Sequence, residues 1–256
     1  MKIVLLGSGN LATQLGRALK MAGQNIVQVW SRQPENAFQL SDLLNVPVAK
    51  SLVDINQNAD LYILAITDDA IREVASALKI TDKIVVHTSG SIDIKALEGL
   101  SDKFGVFYPL QTFTKNKSVD FRQIPIGIEA NSIEVLTAIR SLAERLSENV
   151  IEMDSHKRKT LHIAAVFACN FTNHLWALAQ ELLKNSDQDF NLLRPLISET
   201  AANVLLNNPV DLQTGPAVRN NQEVISSHLE LLKDNPLLHE LYSMLSQSIV
   251  KLNKPD

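Results

Sequence analysis

The chain has 256 residues, 45% hydrophobic and 20% charged, a composition typical of a folded protein of one large or two modest domains. Twenty-four basic and 28 acidic residues give a net charge of −4, which provides no overall positive field for nucleic acid or anionic lipid. The single cysteine, Cys169, excludes an intramolecular disulfide and a multi-cysteine metal site, and the scattered histidines predict no other metal site.

The first apolar run, at residues 3–6, ends at Gly7 and is far shorter than the core of a signal peptide. No stretch approaches the roughly 20 apolar residues that a membrane-spanning helix needs. The sequence therefore predicts a cytoplasmic protein with no membrane partner.

Short apolar runs then alternate with amphipathic segments over about 150 residues, a pattern typical of parallel strands joined by crossover helices. Helices are predicted where apolar residues recur at three- and four-residue steps. The predicted strands are residues 2–6, 26–30, 61–66, 83–87, 105–108, 126–129 and 150–153, and the predicted helices are 11–22, 37–44, 70–78 and 133–146. This order predicts an α/β fold with a doubly wound, mostly parallel Rossmann sheet.

From residue 155 onward only helical periodicity remains, so we place a domain boundary near residue 154. Residues 1–154 form the predicted α/β domain, and residues 155–256 form a smaller all-α domain. Breaks are predicted at Asn208-Pro209 and Asn235-Pro236, because a residue before proline disfavours the helical region. The predicted helices of this second domain are residues 155–183, 192–206, 217–233 and 237–252.

A glycine motif with the spacing G-x-G-x-x-A follows the first predicted strand and opens the first predicted helix. Gly7 permits the tight turn, Gly9 lets the backbone approach a pyrophosphate, and Ala12 keeps the helix close to the strand. The start of the helix offers free N–H groups to phosphates. The cofactor-binding candidates here are Gly7, Ser8, Gly9, Asn10, Leu11 and Ala12. The alternative is a strand-to-helix turn that uses glycine only for its geometry.

The second predicted strand ends in Trp30-Ser31-Arg32, where an NAD-binding protein carries an acidic residue for the ribose 2′-hydroxyl. The Arg32 guanidinium suits a 2′-phosphate, and the Ser31 hydroxyl adds a donor. The sequence therefore favours NADP over NAD as the cofactor. The alternative for Arg32 is a solvated surface charge.

Two further polar segments follow strands whose carboxyl ends face the same edge of the sheet, where ligands bind in open α/β folds. Ile66 and Thr67 follow the strand at 61–66, and Thr67 or Asp68 either caps the next helix or lies beside the cofactor ribose. The second segment contributes His87, Thr88 and Ser89 as candidates near the nicotinamide and substrate. Ser89 and Ser91 could instead cap a helix.

Several motifs together resemble one known family: G-S-G-N-L-A, W-S-R, A-I-T-D-D-A-I, V-V-H-T-S-G-S, Y-P-L-Q-T-F, H-I-A-A-V-F-A-C-N-F and T-G-P-A-V-R. This family joins a Rossmann-like NADP-binding domain to a helical domain of unknown function, number 2520. Its wider kin include pyrroline-5-carboxylate reductase, the deazaflavin-dependent NADP oxidoreductases and the β-hydroxyacid dehydrogenases. The resemblance implies an NADP site, a helical domain like that of 6-phosphogluconate dehydrogenase, and a homodimer formed through that domain. It implies no particular substrate.

The β-hydroxyacid dehydrogenases carry a catalytic lysine four residues before an asparagine on the long interdomain helix. The residue four before Asn170 is Val166, so their chemistry does not transfer to this chain. For a regular helix, His162 and Asn173 fall within about 20° of each other and Asn170 lies about 80° from His162. We therefore take His162, Asn170 and Ser89 as catalytic candidates. His162 and the asparagines could instead be satisfied structural groups.

Four further side chains are candidates for substrate binding: Gln111, Asn173, Arg219 and His228. Thr214-Gly215-Pro216 predicts a helix start, with Thr214 as its cap and Arg219 in the first turns. An arginine beside a helix N-terminus suits a carboxylate or phosphate, although acidic side chains could also hold it. His228 could carry a proton and could come from a partner subunit.

The sequence therefore predicts an NADP-dependent oxidoreductase that moves a hydride between the nicotinamide and a small polar molecule bound between the domains. Two alternatives stay open: a non-catalytic nucleotide-sensing or partner-binding module, and hydride exchange with a deazaflavin.

Overall fold

The structure is a computed structural model, and it describes residues 1–78 and 80–253. The chain forms two compact units, Met1–Cys169 and Asn170–Asp256. Secondary structure changes from strand to helix after residue 152, close to the predicted boundary. The first helix after this change belongs to the first compact unit, and the division into domains 1–154 and 155–256 stays a prediction.

A seven-stranded sheet forms the centre of the first unit, with the strand order β2-β1-β3-β4-β5-β6-β7. Only β5 and β6 pair in antiparallel fashion, and the other neighbours are parallel. The predicted doubly wound α/β architecture is therefore confirmed. The strands are β1 (Lys2–Leu6), β2 (Asn25–Trp30), β3 (Leu61–Leu64), β4 (Ile84–His87), β5 (Lys103–Pro109), β6 (Ile126–Ala130) and β7 (Val150–Glu152).

Helices cover both faces of this sheet because alternate strand residues point to opposite sides. Ile3 and Leu5 of β1 join the apolar cluster that also contains residues of the first and fourth helices. Val4 and Leu6 join a second cluster, under the third helix. The helices are α1 (Asn10–Met21), α2 (Pro34–Leu44), α3 (Asp68–Ala77) and α4 (Ile133–Leu146).

The described residues after β7 form helices joined by turns. A π-helical segment, Val166–Phe171, separates two helices of the predicted long helix at 155–183, and it contains Asn170. A π-helix has more residues per turn than an α-helix. The angles predicted between His162, Asn170 and Asn173 for a regular helix are therefore wrong. The helices are α5 (Ser155–Ala165), α6 (Thr172–Asn185), α7 (Arg194–Val204), α8 (Gln222–Leu231) and α9 (Pro236–Leu252).

One predicted helix start is wrong. Residues 216–220 form turns, and α8 begins at Gln222 rather than near residue 217. The cap is Asn221, whose side chain accepts a hydrogen bond from the Val224 N–H at 3.2 Å. Asn220 has a left-handed backbone, with φ of 51°, which is incompatible with a helix passing through it. Thr214 is therefore not a helix cap, and Arg219 lies in the turn before the helix.

The breaks predicted at the two Asn-Pro pairs are confirmed. Helix α7 ends before Asn208, and α9 begins at Pro236 with the Asn235 side chain as its cap. Among the helices of residues 1–78 and 80–253, none is both long and apolar enough to cross a membrane.

Candidate functional site

The carboxyl ends of β1, β2 and β3 meet at Gly7. Its N–H donates to the carbonyl oxygen of Trp30 at 2.7 Å, at the end of β2. A Cβ atom at this position would lie 1.9 Å from the carbonyl oxygen of Ala65, just after β3, and the backbone has φ of +123°. Only glycine satisfies both conditions. The predicted tight turn is therefore present and is wedged between two neighbouring strand ends.

Helix α1 begins directly after this turn, with Gly9 at its N-cap position. Glycine has no side chain to cap the helix, so the first N–H groups are left for an external acceptor. The helix dipole adds positive potential at the same place. Ala12 and Gly16 face inward: Ala12 is fully buried, and a Cβ at Gly16 would lie 2.8 Å from the Leu44 side chain. The turn thus has the form of an anion-binding helix start.

A cavity of about 480 Å³ opens in front of this turn. Many of the predicted cofactor-binding residues lie on its wall, although they come from three separate parts of the sequence. No carboxylate is among its lining residues in the described part of the chain. The lining includes Gly7, Ser8, Gly9, Asn10, Leu11, Trp30, Ser31, Arg32, Gln33, Asn36, Ala65, Ile66, Thr67 and Lys115.

Ser31 and Arg32 lie where the sequence places the ribose end of a dinucleotide. The Ser8 hydroxyl donates to the Ser31 hydroxyl oxygen at 2.7 Å, which ties the glycine turn to the end of β2. Arg32 forms an ion pair with Glu73 of α3 at 2.6 Å, with both side chains more than half exposed. An exposed pair of this kind contributes little stability, so the guanidinium can exchange Glu73 for a phosphate at small cost.

Thr67 is the N-cap residue of α3, but its side chain makes no capping hydrogen bond. Asp68 is already the first residue of the helix. The predicted side-chain cap by Thr67 is therefore absent. Thr67 lines the same cavity as the glycine turn.

The loop after β4 is held by its own side chains. The Ser89 hydroxyl oxygen accepts hydrogen bonds from the N–H groups of Ser91 and Ile92, both at 3.0 Å. Thr88 donates through its hydroxyl to the carbonyl oxygen of Leu64 at 3.3 Å. Ser89 therefore organises the local backbone, and the alternative that it caps a helix is wrong, because Asp93 caps the short helix at Ile94–Leu97. The catalytic role of Ser89 stays a prediction.

His87 lies beneath this loop and is fully buried. Its Nδ1 accepts a hydrogen bond from the Ser89 N–H at 3.2 Å, which is the arrangement of a neutral ring protonated on Nε2. Burial, together with the positive charge of Arg158, lowers the pKa of His87 to about 4. The uncharged ring therefore stabilises the loop through its hydrogen bond to Ser89. Contact between His87 and a cofactor stays a prediction.

Tyr108, at the end of β5, and His162, on α5, form a polar pair beside the same loop. The Tyr108 hydroxyl oxygen lies 3.1 Å from His162 Nδ1, and the rings meet edge to face. Gly90 packs directly on the pair: a Cβ there would lie 2.6 Å from His162 Nδ1 and 2.9 Å from the Tyr108 ring. Burial raises the pKa of Tyr108, so its hydroxyl stays protonated at neutral pH. One catalytic candidate is thus fixed against the predicted nicotinamide loop.

A buried ion pair anchors α5 to the sheet under this site. Arg158 is fully buried and pairs with Glu129 of β6. It also donates to the Ile92 carbonyl oxygen, while the Ser155 hydroxyl lies 2.9 Å from a Glu129 carboxylate oxygen. Breaking such a pair leaves an uncompensated buried charge. The network therefore fixes His162, one turn along α5, relative to the loop at residues 89–92.

The remaining candidates lie apart from these contacts or in the second unit. Gln111 is exposed, and its side chain accepts a hydrogen bond from the Thr112 N–H at 2.8 Å. Asn170 and Asn173 are exposed, and so is Arg219. His228 Nδ1 lies 2.7 Å from the Tyr242 hydroxyl oxygen. Their roles toward a substrate stay predictions. Among the described residues, no cluster of three histidine, cysteine or acidic side chains could hold a metal ion.

Sequence reasoning missed three side chains that the structure places at the candidate site or against its loops: Tyr108, Lys115 and Gln14. Tyr108 lies within a motif that supports the family resemblance, which was its only signal. Lys115 and Gln14 are about 100 residues apart and meet only in the folded chain. No spacing rule connects them.

Comparisons with known proteins agree with this geometry. The family model for coenzyme F420-dependent NADP oxidoreductases matches residues 2–90, and the model for the domain of unknown function 2520 matches residues 124–249. A solved structure from Bacteroides fragilis, assigned as an NADP oxidoreductase, is similar at 44% identity. The match covers 98% of both chains with a TM-score of 0.90. No curated protein sequence matches the chain.

Two more distant structures share the fold. 1-Pyrroline-5-carboxylate reductase from Streptococcus pyogenes is 18% identical, with a TM-score of 0.63, over 99% of this chain and 98% of that one. Reductive aminase from Aspergillus terreus, in complex with NADPH and ethyl-5-oxohexanoate, is 13% identical, with a TM-score of 0.73, over 98% and 97%.

The buried His87 makes a pH-dependent prediction. Its pKa is about 4 in the folded protein and about 6.5 in the unfolded chain, so the unfolded state binds more protons between these values. The stabilising effect of the neutral ring is complete above pH 6.5 and is lost as the pH falls to 4. The loss is about 3 kcal/mol of the free energy of unfolding. Urea unfolding of the wild type at several pH values measures it.

The matched variants are His87→Gln and His156→Gln, since His156 is exposed on α5. We expect His87→Gln to flatten the pH dependence between 4 and 6.5, and His156→Gln to keep it. Equal pH slopes in the wild type and His87→Gln would contradict the neutral buried ring.

Proposed function

Because the chain belongs to the family of NADP oxidoreductases that join this nucleotide-binding domain to the 2520 domain, we propose that it moves a hydride between the nicotinamide and a small polar substrate. The reducible group we propose is a C=O or C=N bond. Support for this choice comes from two relatives of the same fold, the pyrroline-5-carboxylate reductase and the reductive aminase. Their low identity makes the substrate class a proposal.

The single observation that carries the proposal is the cavity at the carboxyl edge of the sheet. The glycine turn, Arg32 and Thr67 all line this cavity. Among the described residues, no carboxylate that would repel phosphates lines it. The residues present therefore fit NADP: the start of α1 would hold the pyrophosphate, and Arg32 would hold the 2′-phosphate. When bound, NADPH supplies the hydride.

We assign to His162 the role of proton donor to the substrate. In this scheme the Tyr108 phenol donates its hydrogen bond to Nδ1 of the neutral ring, so the ring proton sits on Nε2. When His162 carries two protons, its Nδ1–H donates to the same hydroxyl oxygen. The hydrogen bond to Tyr108 therefore holds the His162 ring in one orientation in both protonation states of that ring. During reduction, hydride adds to the substrate carbon, and His162 gives a proton to the substrate oxygen or nitrogen and regains it from solvent.

Six other residues are assigned to the proposed site. Asn170 lies in a π-helical segment, a feature that is frequent at functional sites, and we propose that its amide binds the polar end of the substrate. Asn173 and Gln111 are further amide candidates, and Arg219 and His228 are candidates for an anionic group. Ser89 would act through the loop that it organises.

The experiment is NADPH oxidation, followed by absorbance, with a panel of small aldehydes, ketones and cyclic imines. We expect turnover by the wild type. His162→Gln should lower kcat by about 10²- to 10⁴-fold, the range for loss of a general acid. Tyr108→Phe should lower kcat less and change KM little, because it removes only the hydrogen bond that orients the ring.

His156→Gln is the matched control, since it removes an exposed histidine from the same helix, and it should keep wild-type turnover. NADPH affinity should stay unchanged in all three variants. NADPH binding without turnover of any substrate in the panel would contradict the proposal and favour a non-catalytic, nucleotide-binding module.

We also propose that the chain is a homodimer formed through its helical unit. Among the described residues of that unit, the only buried apolar residues are Ala217, Ile225 and Leu238. Three residues cannot form the core of a unit of this size, and large exposed apolar patches mark association surfaces. The exposed apolar side chains include Leu175, Trp176, Leu182, Leu192, Leu196, Val204, Leu205, Leu206, Val210, Leu231, Leu237, Met244, Leu245 and Leu252.

Light scattering coupled to gel filtration tests the assembly. We expect the wild type to elute at twice the chain mass of 28.3 kDa. Replacing Leu205 and Leu206 with glutamate should shift the protein toward the monomer, because both side chains are more than 80% exposed in the single chain. Ile133→Glu is the matched control, as Ile133 is equally exposed on the first unit. A wild-type monomer would contradict the proposal.

A further inference from the structure

A loop between β5 and β6 reaches the cofactor cavity. Lys115 lies on this loop, and it is the second cation among the residues that line the cavity, with Arg32 as the first. The described residues provide no ion-pair partner for the Lys115 ammonium group. Its charge is therefore available to a ligand in the cavity.

Helix α1 holds this loop in place. Gln14 is almost fully buried, and its amide nitrogen donates to the carbonyl oxygens of Thr114, Lys115 and Lys117 at 2.7, 3.2 and 3.0 Å. Arg17, nearly one turn further, donates to the Lys115 carbonyl oxygen at 3.3 Å. If the loop moved away, the buried Gln14 amide and the three carbonyl groups would lose these hydrogen bonds. The contacts therefore stabilise this conformation of the loop. The same helix thus begins at the glycine turn and fixes the backbone of Lys115 at the cavity.

The charges in the cavity indicate which phosphate Lys115 meets. The pyrophosphate already has the N–H groups and the dipole of α1. The 2′-phosphate carries between one and two negative charges at neutral pH, and Arg32, its predicted partner, is shared with Glu73. Even after Arg32 exchanges Glu73 for the phosphate, it supplies one positive charge, which leaves up to one negative charge of the phosphate without a cation. Lys115 is the other cation among the residues that line the cavity, so it can supply this charge.

We infer that Lys115 binds the 2′-phosphate of NADP and sets the preference for NADP over NAD. The hydrogen bonds from the Gln14 amide to the loop, here called the Gln14 clamp, hold Lys115 in place. The inference rests on the cofactor and not on the substrate or on the proton donor. It can therefore fail while the proposed reaction stands, and it can hold if no substrate is found.

The test is fluorescence titration of the full-length protein with NADPH and with NADH, at one fixed salt concentration. Lys115→Met keeps the length and apolar character of the side chain and removes its charge. We expect it to weaken NADPH binding by about tenfold or more, as for a lost charge-assisted contact, and to change NADH binding less than twofold.

Lys117→Met is the matched control, since Lys117 is on the same loop, is exposed, and does not line the cavity. It should change neither affinity by as much as twofold. Unchanged NADPH binding by Lys115→Met would overturn the inference. Equal weakening of both cofactors would also overturn it, since that result would place Lys115 at the pyrophosphate they share.

A second variant tests the clamp. Gln14→Met removes the three hydrogen bonds to the loop at similar side-chain volume, and it should weaken NADPH binding with Lys115 still present. Adding it to Lys115→Met should cause no further loss, because the two residues act as one unit. Additive losses in the double variant would overturn the role of Gln14.

Discussion

The close contact between Gly7 and the end of β3 is the constraint on which the nucleotide site depends. A side chain at this position would overlap the Ala65 carbonyl oxygen, and the Gly7 N–H is at the same time bonded to Trp30 at the end of β2. One residue therefore joins the ends of three neighbouring strands, because β1 lies between β2 and β3 in the sheet. The residues after each strand are thereby brought around a single cavity. This is the crevice where the strand order reverses, the expected position for a ligand in a doubly wound sheet.

A second constraint organises the other end of the same sheet edge. Arg158 and Glu129 neutralise each other in a buried position, and Arg158 also binds the carbonyl oxygen of Ile92. Desolvation offsets much of the attraction in such a pair, but losing one partner would leave the other charge buried and uncompensated. Its structural effect is to set α5 at one angle against the loop after β4. His162 then meets Tyr108 and Gly90 with no room for a methyl group between them.

Much of the fold follows from local sequence patterns. All seven strands and the four helices of the sheet domain were predicted, because buried parallel strands and amphipathic helices have distinct periods. The glycine turn, Ser31, Arg32 and Thr67 were predicted as cofactor-binding candidates, and they line one cavity because the ends of parallel strands share an edge. The family resemblance was confirmed by the comparisons.

What the sequence did not reveal depends on long-range contacts or on irregular backbone. The Gln14 clamp joins residues about 100 positions apart, and the Arg158–Glu129 pair joins residues 29 apart, so no periodic pattern reports either of them. The π-helical segment changes the register of the long helix without any local signal from glycine or proline. The start of α8 was misplaced because Pro216 was read as a first-turn residue, whereas a left-handed Asn220 follows and Asn221 provides the actual cap.

We propose that this crevice binds NADP and recognises it through its 2′-phosphate. A paired titration of NADPH and NADH against the wild type and Arg32→Ala, read by nicotinamide fluorescence at fixed salt, tests this directly. We expect tight binding of NADPH and weak binding of NADH by the wild type, with the preference largely lost in Arg32→Ala. Failure of the wild type to bind either cofactor, or a preference for NADH, would contradict it.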